Sequence, residues 1–460
     1  MGNKKNAWLK FDDTKKEEIF SFCEGYKKYI SDCKTERESI KEAIYLAESK
    51  GYRDLKNVIS AGKSLKAGDK VYYNNMDKSL ALFLIGSESI ESGMRIIGSH
   101  VDSPRLDLKP NPLYEDSELS LMETHYYGGV KKYQWLTIPL ALHGVVVKKD
   151  GTKIDVVVGE EETDPVVMVS DLLIHLAAEQ QQKKAAEVIA GEDLNILVGS
   201  MPLEGEEKEA VKANILKLLK EKYDFEEEDF MSAEIEIVPA GKARDLGLDR
   251  SMVAGYGHDD RICAYTSLLA LLETESTKKT SVVLLVDKEE VGSIGATGMQ
   301  SRFFENAVAE LMDRVGEYSE LKLRRALANS KMLSSDVTAA FDPNYAGAYE
   351  KKNSAFFGKG LAFAKYTGAR GKSGCNDANA EFVAWLRNVM DESDVSYQMA
   401  ELGKVDQGGG GTIAYILAEY GMEVIDCGVA LQNMHAPWEV ASKVDIYETM
   451  RGYKAFLMAE

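Results

Sequence analysis

The run Ser281-Val282-Val283-Leu284-Leu285-Val286 is almost wholly apolar and gives way at once to Asp287-Lys288-Glu289-Glu290-Val291-Gly292. A strand without polar alternation has no solvent face, so it belongs in a sheet covered on both sides. Other segments repeat the pattern of an apolar run ending in polar residues. Met94-Arg95-Ile96-Ile97-Gly98 leads into Ser99-His100-Val101-Asp102, and Leu333-Ser334-Ser335 leads into Asp336. Lys70-Val71-Tyr72-Tyr73, Leu80-Ala81-Leu82-Phe83-Leu84-Ile85 and Glu423-Val424-Ile425-Asp426-Cys427 also read as strands. Ile262, Tyr265, Leu269 and Leu272 fall at helical spacing, as do Ile413, Ile416, Leu417 and Tyr420 after Gly408-Gly409-Gly410-Gly411. Strands alternating with helices imply an α/β fold, in which ligands bind beyond the carboxyl ends of the strands. His100, Glu289, Glu290 and Asp336 each follow an apolar run, where that rule puts them.

At 460 residues the chain is long enough for two or three structural units. Residues 1–60 are charged and helix-rich. Between 107 and 250 strand-like segments such as Leu142-His143-Gly144-Val145-Val146-Val147 alternate with turns, and 203–230 is a charged, helix-favouring stretch. This region reads as an inserted domain, dividing the chain into 1–107, 108–250 and 251–460. The formal net charge of -19 argues against nucleic-acid and anionic-membrane partners, since both are polyanions. No stretch reaches the ~18 to 20 apolar residues of a membrane span. The basic start Met1-Gly2-Asn3-Lys4-Lys5-Asn6 is followed by charged and polar residues, so it does not read as a secretory signal. Five scattered cysteines with no CxxC pair argue against a disulfide framework or zinc ribbon. A cytoplasmic location is expected.

Five short polar stretches supply what a two-metal hydrolase needs: N and O ligands for each ion, a bridging carboxylate and a further carboxylate to activate water. The candidate ligands are His100, Asp259, Glu290, Asp336 and His435. Two divalent ions set against the three carboxylates in that group leave about one net positive charge, which lowers the pKa of a bridging water. Asp259 is the candidate bridge, because it stands where a helix begins and the helix dipole favours its ionised form. Asp102 is placed to hydrogen-bond the second nitrogen of His100 and fix its tautomer. In a looping segment Glu289 and Glu290 point in different directions, so Glu290 can bind metal while Glu289 serves as general base.

Each piece also has an ordinary explanation. His100 and Asp102 alone make a hydrogen-bonded pair. Asp259-Asp260-Arg261 alone makes a helix N-cap with a surface ion pair. Consecutive glutamates are normally solvated, and His435 before Ala436-Pro437-Trp438 fits a loop. Their concurrence at strand ends favours the metal centre. His143 reads as structural, and His125, His175 and His258 receive no role.

At these residues the chain resembles the aspartyl aminopeptidase family in its bacterial form, dinuclear-metal exopeptidases that remove an N-terminal amino acid. The likeness runs through Gly98-Ser99-His100-Val101-Asp102-Ser103-Pro104, Glu289-Glu290-Val291-Gly292-Ser293, Ser334-Ser335-Asp336, Gly410-Gly411-Thr412-Ile413 and Met434-His435. The resemblance implies a zinc-exopeptidase-like catalytic domain, a mixed sheet with helices on both faces, split by an inserted β-rich dimerisation domain. It implies that His100 and Asp336 hold one ion and Glu290 and His435 the other, with Asp259 bridging and Glu289 as base. It implies zinc, replaceable by cobalt or manganese, and attack on peptide substrates by a metal-bridging hydroxide. It also implies a homo-oligomer, a dodecamer built from dimers. Lys365 resembles the family's substrate-binding lysine, which implies a preference for N-terminal Asp or Glu. The chain departs from animal members in reading Asp259-Asp260-Arg261 for Asp-Asn-Leu, and Asp171 where they have histidine. A related dinuclear deacylase or carboxypeptidase and a non-catalytic metal-binding assembly protein are the competing readings. Blocking the substrate amine separates the first, and a spare carboxylate at Glu289 argues against the second.

Overall fold

The computed structural model describes residues 5–460, apart from the side chains at positions 369 and 370. The chain divides into two compact units. The larger comprises Met1–Asp102, Ala243–Met434 and Glu439–Glu460, and the smaller comprises Ser103–Lys242 and His435–Trp438.

The larger unit is built on a nine-stranded mixed sheet. In chain order its strands are β1 (Arg53–Asp54), β2 (Lys70–Asn75), β3 (Ser79–Leu84), β4 (Arg95–His100), β5 (Ser281–Val286), β6 (Lys331–Ser335), β7 (Leu361–Ala364), β8 (Tyr397–Met399) and β9 (Glu423–Gly428). Their order in space is β1-β2-β3-β5-β4-β6-β9-β7-β8. The central four, β5, β4, β6 and β9, are parallel, whereas β3 and β7 run antiparallel to β5 and β9. Helices of this unit include α1 (Asp13–Asp32), α2 (Glu36–Ser49), α3 (His258–Leu272), α4 (Phe303–Arg314), α5 (Ala380–Glu392), α6 (Ala414–Ala418) and α7 (Lys443–Met458).

Pleating sends alternate residues of each strand to opposite sides. Ile97, Val283, Leu285 and Leu333 pack with Ala43 of α2, Leu268 of α3, Leu386 of α5 and Phe456 of α7. Ile96, Val282, Leu284 and Met332 turn the other way, toward Phe304 and Leu311 of α4 and Leu417 of α6. Helices therefore cover both faces, and every residue of the apolar β5 is buried. Each large apolar side chain removed from water contributes about 1.5–3 kcal/mol, so these two layers dominate the stability of the unit. The corner between α1 and α2 is fixed by a reciprocal cap. The Thr35 side chain accepts from the Glu38 N–H, and the Glu38 carboxylate accepts from the Thr35 N–H. A smaller five-stranded sheet includes Met252–Gly255 beside Glu439–Ser442, and the first of these leads directly into α3.

The smaller unit is a seven-stranded sheet, antiparallel throughout, with Ala233–Pro239 between Leu140–Val147 and Arg105–Asp116. It also carries the helix Ala210–Tyr223. Among the described residues no helix is long and apolar enough to cross a membrane.

Candidate metal centre

Three neighbouring parallel strands bring the chemistry together. β4 ends at His100, which is paired with Val286 at the end of β5, and Ser334 of β6 is paired with Gly98 of β4. Glu289, Glu290 and Asp336 therefore leave the sheet at the same edge as His100, the carboxyl edge where parallel sheets bind ligands. Asp259 and Asp260 approach from the start of α3. Their backbone angles (φ -80°, ψ 105° and φ -118°, ψ 25°) are non-helical, so both acids stand before the regular turns begin.

His100 lies at the middle and is 2% exposed. Its Nε2 is 3.1 Å from Asp259 Oδ1, 3.8 Å from Asp336 Oδ1 and 3.9 Å from Glu289 Oε2. Its Nδ1 is 3.0 Å from the carbonyl oxygen of Asp102 and 3.4 Å from Oδ1 of the same residue. The Asp102 carboxylate accepts the backbone N–H groups of Glu289 at 3.1 Å and Glu290 at 3.2 Å. Asp102 thus orients the ring mainly through its carbonyl, while its carboxylate shapes the glutamate turn. Two sets of possible ligand atoms each converge within 4.8 Å: His100, Asp259 and Glu290, and His100, Asp260 and Asp336.

Carboxylates packed this closely repel. Two unit charges ~4 Å apart cost about 4 kcal/mol at an effective dielectric of ~20, so a few such pairs rival the roughly 5–15 kcal/mol that holds a protein folded. The acids respond by retaining protons. Glu289 is pushed up to about 8 by burial and by the charges of Asp336, Asp102 and Asp259, against the pull of His100. Burial raises Asp336, with His100 opposing. Burial, followed by the charge of Asp336, holds Asp260 well above the carboxylate range. Burial opposes charging of His100, but hydrogen bonds to Asp102, Asp259 and Asp336 hold it well above its ordinary value. Asp260 Oδ1 is buried and meets no hydrogen-bond partner among the described residues. One divalent cation or two, seated among these oxygens and the Nε2 lone pair, would neutralise the excess and satisfy that atom. The donor set of imidazole and carboxylates suits zinc, cobalt or manganese.

This arrangement also meets the family comparison. The model of the family described as Aminopeptidase I zinc metalloprotease (M18) matches residues 29–457. The chain belongs to the M18 aminopeptidases. The M18 chain is accordingly a zinc metalloaminopeptidase, a hydrolase acting on peptides. It is 66% identical over 454 residues to Probable M18 family aminopeptidase 1 of Clostridium acetobutylicum, with 98% of each chain covered. Its fold matches the crystal structure of an M18-family aminopeptidase from Thermotoga maritima with a TM-score of 0.95 at 45% identity, and 99% of each chain is covered. It matches that of aminopeptidase I from Clostridium acetobutylicum with a TM-score of 0.93 at 65% identity, again covering 99% of each.

The M18 chain brings His100, Asp102, Asp259, Glu289, Glu290 and Asp336 together. Lys365 is placed differently. It follows β7, whose Ala364 is paired with Asp426 of β9. Because β7 runs antiparallel to β9, the chain reaches Lys365 from the direction opposite to the strands that end at the centre. There the Lys365 ammonium pairs with Asp377, and Lys372 holds the other oxygen of that carboxylate at 2.8 Å. His435 falls within the smaller unit, where its Nδ1 is 2.9 Å from the carbonyl oxygen of Gly129. His143 is hydrogen-bonded to Glu160 at 2.9 Å. His258 is fully buried with Nδ1 2.5 Å from the Tyr26 hydroxyl, and burial pushes it down to about 3.

Asp260 is the acid of this buried cluster that sequence reasoning passed over. Its signal lay in the double acid. The argument that neighbouring acids in a non-helical turn face different ways, applied to Glu289 and Glu290, holds equally for Asp259 and Asp260. Arg261 is no surface ion pair either, for it is fully buried.

Proposed function

We propose that the chain binds two divalent ions and releases the N-terminal residue of peptides, with Glu289 transferring the proton. The observation that carries this is the convergence of Asp259, Glu289 and Asp336 on one nitrogen of His100. His100 and Asp336 would hold one ion, Glu290 the other, and Asp259 both. The fifth proposed ligand, His435, rests on its motif alone. Bound there, zinc (or cobalt or manganese) would polarise the scissile carbonyl and make water acidic near neutral pH.

Glu289 takes a proton from the water whose oxygen bonds to the carbonyl carbon. It returns that proton to the departing amine as the C–N bond breaks, so one water is consumed for each residue released. Burial and neighbouring acids raise the proton affinity of Glu289, and cations beside it would draw that affinity back toward neutral pH. Asp102 keeps Glu289 and Glu290 side by side by accepting both of their N–H groups.

Acidic N-terminal residues are the proposed preference, with Lys365 as the recognising cation. Asp377 supports this by showing that a carboxylate can sit on that ammonium. The larger unit is the proposed catalytic domain and the smaller the dimerisation domain, within a dodecamer built from dimers. Leu173, Ile174 and Leu176 of the smaller unit are exposed, apolar surface that another copy would cover. A solved S. cerevisiae mApe1 dodecamer, 20% identical, shares the fold. Five unpaired cysteines suit a reducing, cytoplasmic compartment.

The test is residue release from free-amine peptides beginning with Asp, Glu, Lys, Leu or Ala in zinc-supplemented buffer, beside N-acetylated controls. Release that acetylation abolishes supports the aminopeptidase. Asp and Glu foremost supports the acidic pocket, whereas Leu or Lys foremost removes it. Release from the acetylated peptides overturns the requirement for a free amine.

A further inference from the structure

Residues 256–261 carry Asp259 into the centre, and all of them are buried. The segment ends in a cation whose partners are unusual. Among the described residues the Arg261 guanidinium donates to backbone carbonyls alone: Nη1 to Lys34 at 2.5 Å, Nη2 to Tyr256 at 3.2 Å and Nε to Gly257 at 3.3 Å. Its carbon also lies 4.9 Å from the centre of the Tyr256 ring. Burying a cation costs several kcal/mol, which three charge-assisted hydrogen bonds from a rigid planar fork can offset. Gly257 interlocks with it. Its φ is +73°, and a Cβ at that position would overlap the guanidinium.

The geometry is that of a staple. Donor atoms on the C-terminal side of the acid pair hold carbonyls on its N-terminal side, and the third bond ties both to Lys34 at the corner between α1 and α2. Other contacts restrain the acids one at a time. The Asp259 N–H donates to Glu439 at 3.1 Å, and Asp260 Oδ2 accepts the His100 N–H at 3.3 Å. Arg261 restrains the turn from which both acids are presented.

We propose that Arg261 is a positioning residue for the reaction: it clamps the Tyr256–Gly257 turn, and so fixes where Asp259 and Asp260 meet the metal ions. This rests on the dinuclear reading above. The test is zinc binding by the full chain after EDTA treatment, measured by equilibrium dialysis together with kcat, KM and the Tm of the metal-free protein. The variants are Arg261→Leu, Arg261→Lys, Asp259→Asn and Leu268→Ala, the last a core change in the same helix. Arg261→Leu should weaken zinc binding by about 10- to 100-fold, as loss of a group that orients a ligand does. It should lower kcat more than it raises KM, and Arg261→Lys, which keeps the charge without the fork, should fall between. Leu268→Ala should lower Tm and leave zinc affinity at the wild-type value. If Arg261→Leu does not fold, Arg261→Lys is read the same way. Unchanged zinc affinity in the Arg261 variants, with zinc lost from Asp259→Asn, overturns the clamp, and so does an equal loss in Leu268→Ala. Unchanged zinc affinity in Asp259→Asn overturns the reading of the site itself.

Discussion

His100 turns one nitrogen toward Asp259, Glu289 and Asp336 at 3.1–3.9 Å, while Asp377 divides its two oxygens between Lys365 and Lys372. Both groups gather charged side chains from separate segments of the same unit. They differ in balance and in burial. The acids facing His100 are 5–14% exposed, whereas the side chains around Asp377 are 40–44% exposed. Water screens the second group, where each pair contributes about 0–1 kcal/mol and two ammonium groups share one carboxylate. The first group is out of water, and its charges are of one sign apart from one imidazole. Such a group needs protons or cations from outside the chain. Demand for a ligand is therefore read from unbalanced charge in a buried place, not from the number of charged residues.

Removing the metal breaks the comparison most severely. Dialysis against a chelator should reduce peptide hydrolysis below detection, and added zinc should restore it. Far-UV circular dichroism should persist, because the two apolar layers on β5 do not pass through the centre. Unfolding on chelation would instead make the ions structural. Next in size is Glu289→Gln, which keeps the shape and removes the proposed base. A loss in kcat of about 10²- to 10⁴-fold is expected, with zinc content unchanged. A variant that hydrolyses as fast as the parent would take the proton-transfer role from Glu289.

The same imbalance sets a pH dependence. Glu289 has an ordinary value of 4.5, reached in the unfolded chain, and stands at about 8 in the metal-free fold. Between those values the folded form binds more protons, so its stability falls as pH rises. The contribution is complete below 4.5 and gone once pH has passed about 8. Asp426 and Asp445, each pushed by burial to about 7, act in the same sense. In chelator the Tm should therefore fall between about pH 5 and 8, and fall less with zinc bound or in Glu289→Gln. A Tm that climbs across that window would show that these acids do not hold their protons.

How much of this was legible follows from where the contacts come from. β5 could be read because a fully buried strand has no alternation to hide, and its acids follow it directly. His100 and Asp336 were readable for the same reason. The burial of Arg261 was not, since an arginine after two acids in a first helical turn looks like a surface pair. The carbonyl it reaches belongs to Lys34, 227 residues away. His258 lacked a role because Tyr26 is 232 residues distant. The placement of Lys365 depends on the direction of β7, and a short apolar run such as Leu361–Ala364 does not encode whether it runs parallel or antiparallel. Composition changes near 107 and 250, whereas contacts divide the chain near 102 and 242 and assign His435–Trp438 to the smaller unit.

The smallest expected effects lie in the exposed cluster of mixed sign. Lys365→Met leaves Asp377 its bond to Lys372, so stability should change by less than about 1 kcal/mol. Selection is where this variant should register. A charged hydrogen bond to a substrate carboxylate contributes about 1.5–3 kcal/mol, so the ratio of Asp to Leu release should fall roughly 10- to 100-fold if Lys365 recognises acidic residues. Asp377→Asn tests the same pocket from the other side. It removes the internal carboxylate that an acidic substrate must displace, and the ratio should rise by about 2- to 5-fold, the equivalent of an exposed ion pair. Opposite movements in the two variants would make the cluster a recognition site held closed by its own aspartate. A ratio unmoved by either would leave Lys365 and Lys372 as solvated cations, and then the buried imbalance around His100 would be the sole demand for a ligand that the comparison reveals.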